Sequence, residues 1–260
     1  MIHYSTLNVE CTEGVAWVML NRPAVSNAFD DIQVQELTAC FSHLSQDNTV
    51  YAIVLTGKGR HFCAGADLNW MKKVAQYGRE ENIEDSHRLS EMYRTIDMSP
   101  KPVVGCINGS AFGGGVGLVA VCDIAVCSDQ AHFAFSEVKL GIVPAVISTY
   151  VIPKIGISHA RHLFITGERF SAQNALDIGL VHSICPPEEL KTKTGEYLSL
   201  LESSGPHAVI AAKELLDRWS VLEKEEYRTY TEELIADLRA SEGGTEGIRA
   251  FLEKRKPAWR

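Results

Sequence analysis

Through the first half of the chain, apolar runs of strand length alternate with amphipathic stretches. This is the pattern of βα units rather than of a sandwich or a helical bundle. Val15 to Leu20 predicts the first clear strand, and Asn21-Arg22-Pro23 ends it. Asp30 opens a predicted helix in which Ile32, Leu37, Phe41 and Leu44 recur at roughly helical spacing up to Asp47. Ala52 to Thr56 predicts a buried strand, 57–61 a loop, and Asp67 to Met71 the start of the next helical element. The stretch from Val74 to Glu84 is polar and without a firm period, so a mobile connection is expected there. His87 to Met98 predicts a helix, punctuated by Pro100 and Pro102, and Val103 to Ile107 a third strand.

From Ser158 onward the helical period dominates. Ser171 and the stretch Glu188 to Leu201 mark helix starts, and Pro206 opens another at a favoured early position. The last stretches, Glu225 to Arg239 and Thr245 to Lys254, carry mixed charge that suits a solvated face or a partner subunit. No low-complexity linker separates the halves. The expected organisation is one α/β polypeptide with a core over residues 1–200 and a helical tail over 201–260.

Composition then narrows the function classes. The 260 residues are 45% hydrophobic and 22% charged, an ordinary globular profile. A net charge of -8 argues against a nucleic-acid partner, whose recognition rests on clustered Lys and Arg. The seven cysteines form no CxxC pair and read as buried reduced thiols of a reducing compartment. The nine histidines show no HExxH and no Cys/His cluster, so no metal site is expected. Met1 to Thr6 does not resemble a targeting peptide, and no apolar run approaches the ~20 residues that cross a bilayer. A cytoplasmic enzyme or binding protein without membrane contact is the default.

Two glycine-containing turns, Cys63-Ala64-Gly65-Ala66-Asp67 and Gly109-Ser110-Ala111-Phe112-Gly113-Gly114-Gly115, follow predicted strands. Backbone amides placed there point into a cleft at strand ends. The glycine triplet before the apolar stretch Val116 to Val121 predicts a helix start whose free N–H groups meet negative charge or a developing oxyanion. A close-packed helix start that needs small residues is the other reading. Phosphate loops are poor fits. A Walker loop needs GK[ST], where Gly115 is followed by Val116-Gly117, and a GxGxxG fingerprint fails at Leu118 or at Phe62. Glu137 ends the apolar run Phe133-Ala134-Phe135-Ser136. A carboxyl desolvated there would have a raised pKa suited to proton transfer, although local sequence alone favours an exposed strand-end Glu.

Taken in order, these segments resemble the enoyl-CoA hydratase/isomerase, or crotonase, family. Val104-Gly105-Cys106-Ile107-Asn108-Gly109, Gly113-Gly114-Gly115 and Cys122-Asp123-Ile124 carry its signature, with Ala120 departing at a usually larger or hydroxylic position. Asn21-Arg22-Pro23 with Asn27-Ala28, Phe62 to Leu68, Phe135-Ser136-Glu137, Thr166-Gly167-Glu168, Gly179-Leu180-Val181 and Phe251 to Arg255 follow in the family's order across essentially the whole chain.

The resemblance implies a ββα superhelical core followed by a helical trimerisation region, assembled as a homo-trimer or hexamer. It implies an oxyanion hole from the N–H groups of Ala66 and Gly114, with Glu137 as the acid or base. Arg22 and Val25, the turn Ala64, Ala66, Asp67 and Leu68, and from the tail Phe251 and Lys254 match positions that contact the CoA moiety. A solvated helix end is the plainer reading of the last two. No cofactor beyond the CoA of the substrate is implied. Reversing the local reading, it makes Glu137 one of the two glutamates of a hydratase.

The second glutamate is missing, because Gly117 stands at its position and cannot transfer a proton. Asp67 to Met71, Gly113 to Val121 and Ser136 to Ser148 are most similar to bacterial methylglutaconyl-CoA hydratases, in which Gly117 is not anomalous. There Ala145-Val146-Ile147-Ser148 replaces a glycine-rich stretch and is expected to form a bulkier loop beside the acyl group. Hydration of a branched enoyl-CoA is the leading expectation. An enoyl-CoA isomerase or other one-glutamate reaction, and a CoA-thioester binding protein without turnover, are the alternatives.

Overall fold

Ala52–Gly57 and Val103–Ile107 are buried at every residue, which requires a sheet covered on both faces. The computed structural model, which describes residues 3–259, supplies that sheet. The strands are β1 (Leu7–Thr12), β2 (Val15–Leu20), β3 (Ala52–Gly57), β4 (Val103–Ile107), β5 (Ala111–Phe112), β6 (Ile124–Ser128), β7 (His132–Ala134), β8 (Arg169–Ser171) and β9 (Ser183–Cys185). The helices are α1 (Asp31–Gln46), α2 (Leu68–Val74), α3 (Arg79–Asp97), α4 (Gly114–Ala120), α5 (Ala145–Thr166), α6 (Ala172–Asp177), α7 (Leu190–Ser203), α8 (Pro206–Trp219), α9 (Lys224–Ala240) and α10 (Glu242–Leu252).

The main sheet runs β1-β2-β3-β4-β6-β9, parallel except for β1, and a smaller sheet runs β5-β7-β8. Each of β4 and β6 feeds a short strand of the second sheet and then a helix, so β4-β5-α4 and β6-β7-α5 are successive ββα turns, the core that the resemblance implies. Alternation divides the core. Ile53 and Leu55 face one side with Leu37 and Phe41 of α1 and Met92 and Ile96 of α3, while Val54, Val104 and Val126 face the other with Leu190 and Leu198 of α7. Each such large side chain contributes about 1.5–3 kcal/mol on burial.

The predicted boundaries hold where a cap marks them. The Asp30 carboxylate accepts the Gln33 N–H at 3.0 Å and starts α1, Ser171 caps α6, and Pro206 is the first residue of α8. Three stretches differ. Leu7–Thr12 is a strand although its outer positions are exposed, because it is the antiparallel edge of the sheet, joined to β2 by Glu13 and Gly14 at φ 52 and 78. α3 begins at Arg79, so most of the expected mobile connection is helix. The Gly78 N–H donates to the Glu81 carboxylate at 2.8 Å, the glutamate half of a capping box with no Ser or Thr to announce it. Ala145 to Ser148 is not a loop but the first turn of α5. Pro153 and a break at Gly156 (φ 73) hide that helix from a periodicity reading, which finds only the segment after the break.

At the N-terminal edge of the sheet, α3, α5 and α8 converge on Asp123, just before β6. Lys213 of α8 donates to Asp123 at 2.7 Å, and the same carboxylate oxygen accepts the Val103 N–H at 2.7 Å. Lys154 of α5 donates to the Cys122 carbonyl. Asp97, at the end of α3, is pushed up to about 6 by burial and then by Asp217 and Asp123, against the pull of Lys213 and Lys154. A carboxyl raised in the folded state keeps a proton that the unfolded chain has lost, so stability falls as pH rises through the window from about 4 to about 6. Asp97→Asn should therefore raise Tm at pH 8 by a few degrees, the scale of about 1 kcal/mol after discounting for its partial exposure. The difference should shrink through pH 5 and close only below about pH 4, at the foot of that window, so the second melt is taken there. Thermal melts at both values check this, and an unchanged Tm at pH 8 would show that Asp97 is not penalised.

Candidate active site

Three loops leave the C-terminal ends of β2, β3 and β4 and build one cleft. The first is organised by Asn27, fully buried at φ 55, a left-handed conformation that short amides tolerate. Its Oδ1 accepts the Arg22 N–H at 3.0 Å, and its Nδ2 donates to the carbonyls of Lys58 and His61, both at 2.9 Å. Phe29 then pairs with the second loop. Its N–H donates to the Gly65 carbonyl at 2.8 Å, and its carbonyl accepts the Asp67 N–H at 3.0 Å. Gly65 and Asp67 are thereby turned toward Phe29, and the intervening Ala66 N–H faces the other way, at the surface.

The third loop lies against the second. The Phe112 N–H donates to the Cys63 carbonyl at 3.0 Å and the Gly113 N–H to the Ala134 carbonyl at 2.9 Å. Gly65 (φ +87) and Gly113 (φ +51) both occupy conformations that side chains disfavour. A Cβ on Gly65 would sit 2.7 Å from the Phe112 carbonyl oxygen and 3.7 Å from the Gly114 nitrogen. Gly114 opens α4, so its N–H has no intrahelical acceptor. Neither it nor the Ala66 N–H donates to another group among the described residues.

Glu137 follows β7 on a 3-10 turn over Ser136–Leu140, rather than ending a strand, and is half-buried rather than exposed. Its Oε2 is buried without a hydrogen-bond partner. A Cβ on Gly113 would lie 3.2 Å from Oε1, which sets the carboxyl over the glycine that precedes Gly114. Burial raises its pKa above the ordinary carboxylate range, with a backbone hydrogen bond opposing. A desolvated carboxyl and two uncommitted N–H donors thus share one cleft, the equipment for moving a proton next to a carbonyl that gains negative charge.

The remaining sequence candidates divide into two groups. Ala64 is half-buried, its N–H donating to Ser26 at 3.0 Å, while Leu68 at the start of α2 and Val25 on a 3-10 turn are exposed beside it. Asp67 is buried and caps α2, accepting the Asn69 N–H at 2.7 Å. Arg22 is half-buried, with its guanidinium on Asp30 and Asp67. Phe251 and Lys254 lie apart, at the end of α10, which packs on α8 and α9; Phe251 is 82% exposed. A groove of about 1280 Å³ between Gly14, Tyr51, Pro102 and the N-terminal ends of α8 and α10 contains none of the candidates.

Sequence reasoning missed Tyr93. Fully buried in α3, it donates its hydroxyl to the Gly114 carbonyl at 2.7 Å, and burial together with Cys63 and Glu137 raises its pKa well above the ordinary value. In sequence it is one apolar position of a core-facing helix stripe, and only the fold places it beside the glycine triplet. Tyr93 and Ile147 enclose Gly117. A Cβ there would lie 2.4 Å from Ile147 Cγ2 and 2.9 and 3.0 Å from Tyr93 ring atoms.

Comparison with known proteins gives a consistent family. Residues 10–260 match the model of the enoyl-CoA hydratase/isomerase family. A crystal structure of an enoyl-CoA hydratase from Shewanella pealeana superposes with a TM-score of 0.94 at 37% identity, covering 98% of this chain and 96% of that one. A short-chain-enoyl-CoA hydratase of Clostridium acetobutylicum is 32% identical over 93% of this chain and 92% of its own length. A trans-2-decenoyl-[acyl-carrier-protein] isomerase of Streptococcus mutans is 30% identical over 94% of each.

The space at Gly117 separates room for a side chain from a site closed around hydrogen. Gly117→Ala should lower stability by about 1–3 kcal/mol through overpacking, outweighing the ~1 kcal/mol helix-propensity gain of alanine. Urea denaturation measures this. A midpoint at or above wild type would mean that the helix accepts a side chain here.

Proposed function

The chain belongs to the enoyl-CoA hydratase/isomerase family and is an enzyme of it, and from that premise we propose that it adds water to, or removes it from, the 2,3 double bond of an enoyl-CoA. The observation that carries this reading is the desolvated carboxyl of Glu137, one oxygen of which has no partner, in the same cleft as the free N–H groups of Ala66 and Gly114. The proposed substrate is a branched enoyl-CoA such as 3-methylglutaconyl-CoA. Its support is the likeness of the segments around Asp67, Gly113 and Glu137 to methylglutaconyl-CoA hydratases.

In the hydration direction, ionised Glu137 takes a proton from water as the oxygen bonds C3. The electron pair of the double bond moves to the thioester oxygen as an enolate, held by the two N–H groups. Glu137 then returns the proton to C2, so one carboxyl serves both steps and H2O is added in balance. Fixed amide donors suit the enolate because they need no reorganisation as charge develops, each contributing roughly 2.7–4 kcal/mol. Gly117 offers no second carboxylate, and Tyr93 and Ile147 close the space around it. No cofactor beyond the CoA of the substrate is needed.

The reading also includes a cytoplasmic homo-trimer or hexamer. Leu216, Trp219, Val221, Phe251 and Leu252 are exposed on the tail and suit burial against a second copy, with Phe251 and Lys254 reaching a neighbour's CoA. Among the described residues, no helix is long and apolar enough to cross a membrane.

Isomerisation is the second reading, favoured by the lack of a carboxylate at Gly117. Glu137 would remove a proton from C2 of a 3-enoyl thioester and return it at C4. Ultraviolet absorbance of the conjugated thioester decides between the two. Hydration removes it with a gain of one water by mass, whereas isomerisation of a 3-enoyl-CoA creates it at constant mass. Glu137→Gln is expected to lower kcat by ~10² to 10⁴ with CoA affinity nearly unchanged. In the hydration direction wild-type kcat/KM should fall on acidification through a pKa above the ordinary carboxylate range. Retention of most kcat in the variant would remove Glu137 from the reaction.

A further inference from the structure

Arg22 is placed by the sequence resemblance at the CoA moiety, yet its guanidinium is committed inside the protein. One nitrogen, Nη2, lies 2.9 Å from Asp30 Oδ2 and 3.1 Å from Asp67 Oδ2, and Nη1 donates to the Ala28 carbonyl. These side chains keep only about a fifth of their surface exposed for Arg22 and Asp30, and 5% for Asp67. Both carboxylates are helix caps. Asp30 Oδ1 accepts from Gln33 at the start of α1, and Asp67 Oδ1 from Asn69 at the start of α2. The peptide N–H adjoining Ala66 is fixed as well, since Asp67 N–H donates to the Phe29 carbonyl.

From this geometry we infer that Arg22 is a positioning residue for the Ala66 N–H. It clamps the cap of α2 to the cap of α1 and so sets where the Ala66 peptide stands relative to Gly114. The inference rests on the oxyanion role proposed for Ala66. The physical case is leverage. Ala66 lies one residue from Asp67 in an exposed turn, and apart from the Phe29 pairing, the Arg22 clamp is what ties that residue to a second element. A planar guanidinium spans two carboxylates and a carbonyl at once, which an ammonium does not. Hydrogen-bond donors aimed at a developing oxyanion lose their value when displaced by about an ångström, so the clamp acts on turnover rather than on binding.

The test compares wild type, Arg22→Met, Asp67→Asn, their double variant and Arg22→Lys, each checked for folding by circular dichroism. Two readouts are taken: calorimetric Kd for CoA, and the absorbance of bound cinnamoyl-CoA, whose conjugated thioester shifts to longer wavelength when its carbonyl is polarised. A red shift in wild type establishes the hole itself. Without one, the oxyanion reading and this inference fall together. Given the shift, Arg22→Met and Asp67→Asn should each lose most of it and lower kcat by about 10- to 100-fold, while Kd for CoA changes by less than ~3-fold. The double variant should be no worse than the poorer single one, and Arg22→Lys should restore part of the loss. If Arg22→Met keeps the shift and kcat while Kd rises and Asp67→Asn binds CoA normally, Arg22 contacts the nucleotide and the clamp is overturned, with the hole intact. Should Arg22→Met fail to fold, Arg22→Lys and Asp30→Asn carry the comparison, because Asn still caps α1 and removes only the charge. Full red shift and kcat in both variants would then refute the clamp.

Discussion

Everything at the cleft depends on two backbone turns lying against each other without side chains between them. Gly65 rests on the Phe112 carbonyl and Gly113 lies under Glu137, at distances where a Cβ would collide or crowd. That contact sets Ala66 and Gly114 side by side with their N–H groups unclaimed. Main-chain donors held this way are positioned by loop packing rather than by rotamers, and their geometry is as firm as the seam. Asn27 fastens one side of the seam from beneath, Phe29 pairs with its edge, and the small sheet holds the other side through Gly113 and Ala134.

A second constraint acts against the first. Glu137 is half-buried with one oxygen unpartnered, and Tyr93 is fully buried beside it. Removing a carboxyl from water disfavours its charged form, so the folded protein is less stable at neutral pH than it would be with a neutral group there. The same desolvation brings its proton affinity toward the range useful for transfer. The surrounding core, with large side chains from α1, α3 and the sheet fully buried, holds the carboxyl in place despite that cost.

Much of this was legible in the sequence, for identifiable reasons. Helix starts were legible from the side-chain caps Asp30 and Ser171 and from Pro206 at a first helical position, and parallel strands from their continuous apolar runs. The glycine turns were legible because backbone donors at strand ends demand them, and the motif order then gave Ala66, Gly114 and Glu137 their places in the family pattern. What stayed hidden shares a cause: it depends on partners distant in sequence. β1 is polar because it is an edge, α3 starts on a glutamate reaching back to a glycine, and α5 is broken at Gly156 so that its first segment has no clean period. Tyr93 looked like a core residue and Ile147 like part of a bulkier loop, yet both are buried and together they close the space at Gly117. Arg22 was read from its motif as a CoA contact, and its ion pairs with Asp30 and Asp67, 8 and 45 residues away, could not be seen in the sequence.

The ion pair between Lys213 and Asp123 has a mechanical meaning. It fastens α8 to the sheet at the start of β6, while the glycine-containing loops leave the far ends of neighbouring strands, separated by about 17 Å for a five-residue strand. The same pair stands three residues beyond the end of α4, whose first residue is Gly114, so a single short helix joins the tail's anchor to the glycine-triplet end of the cleft.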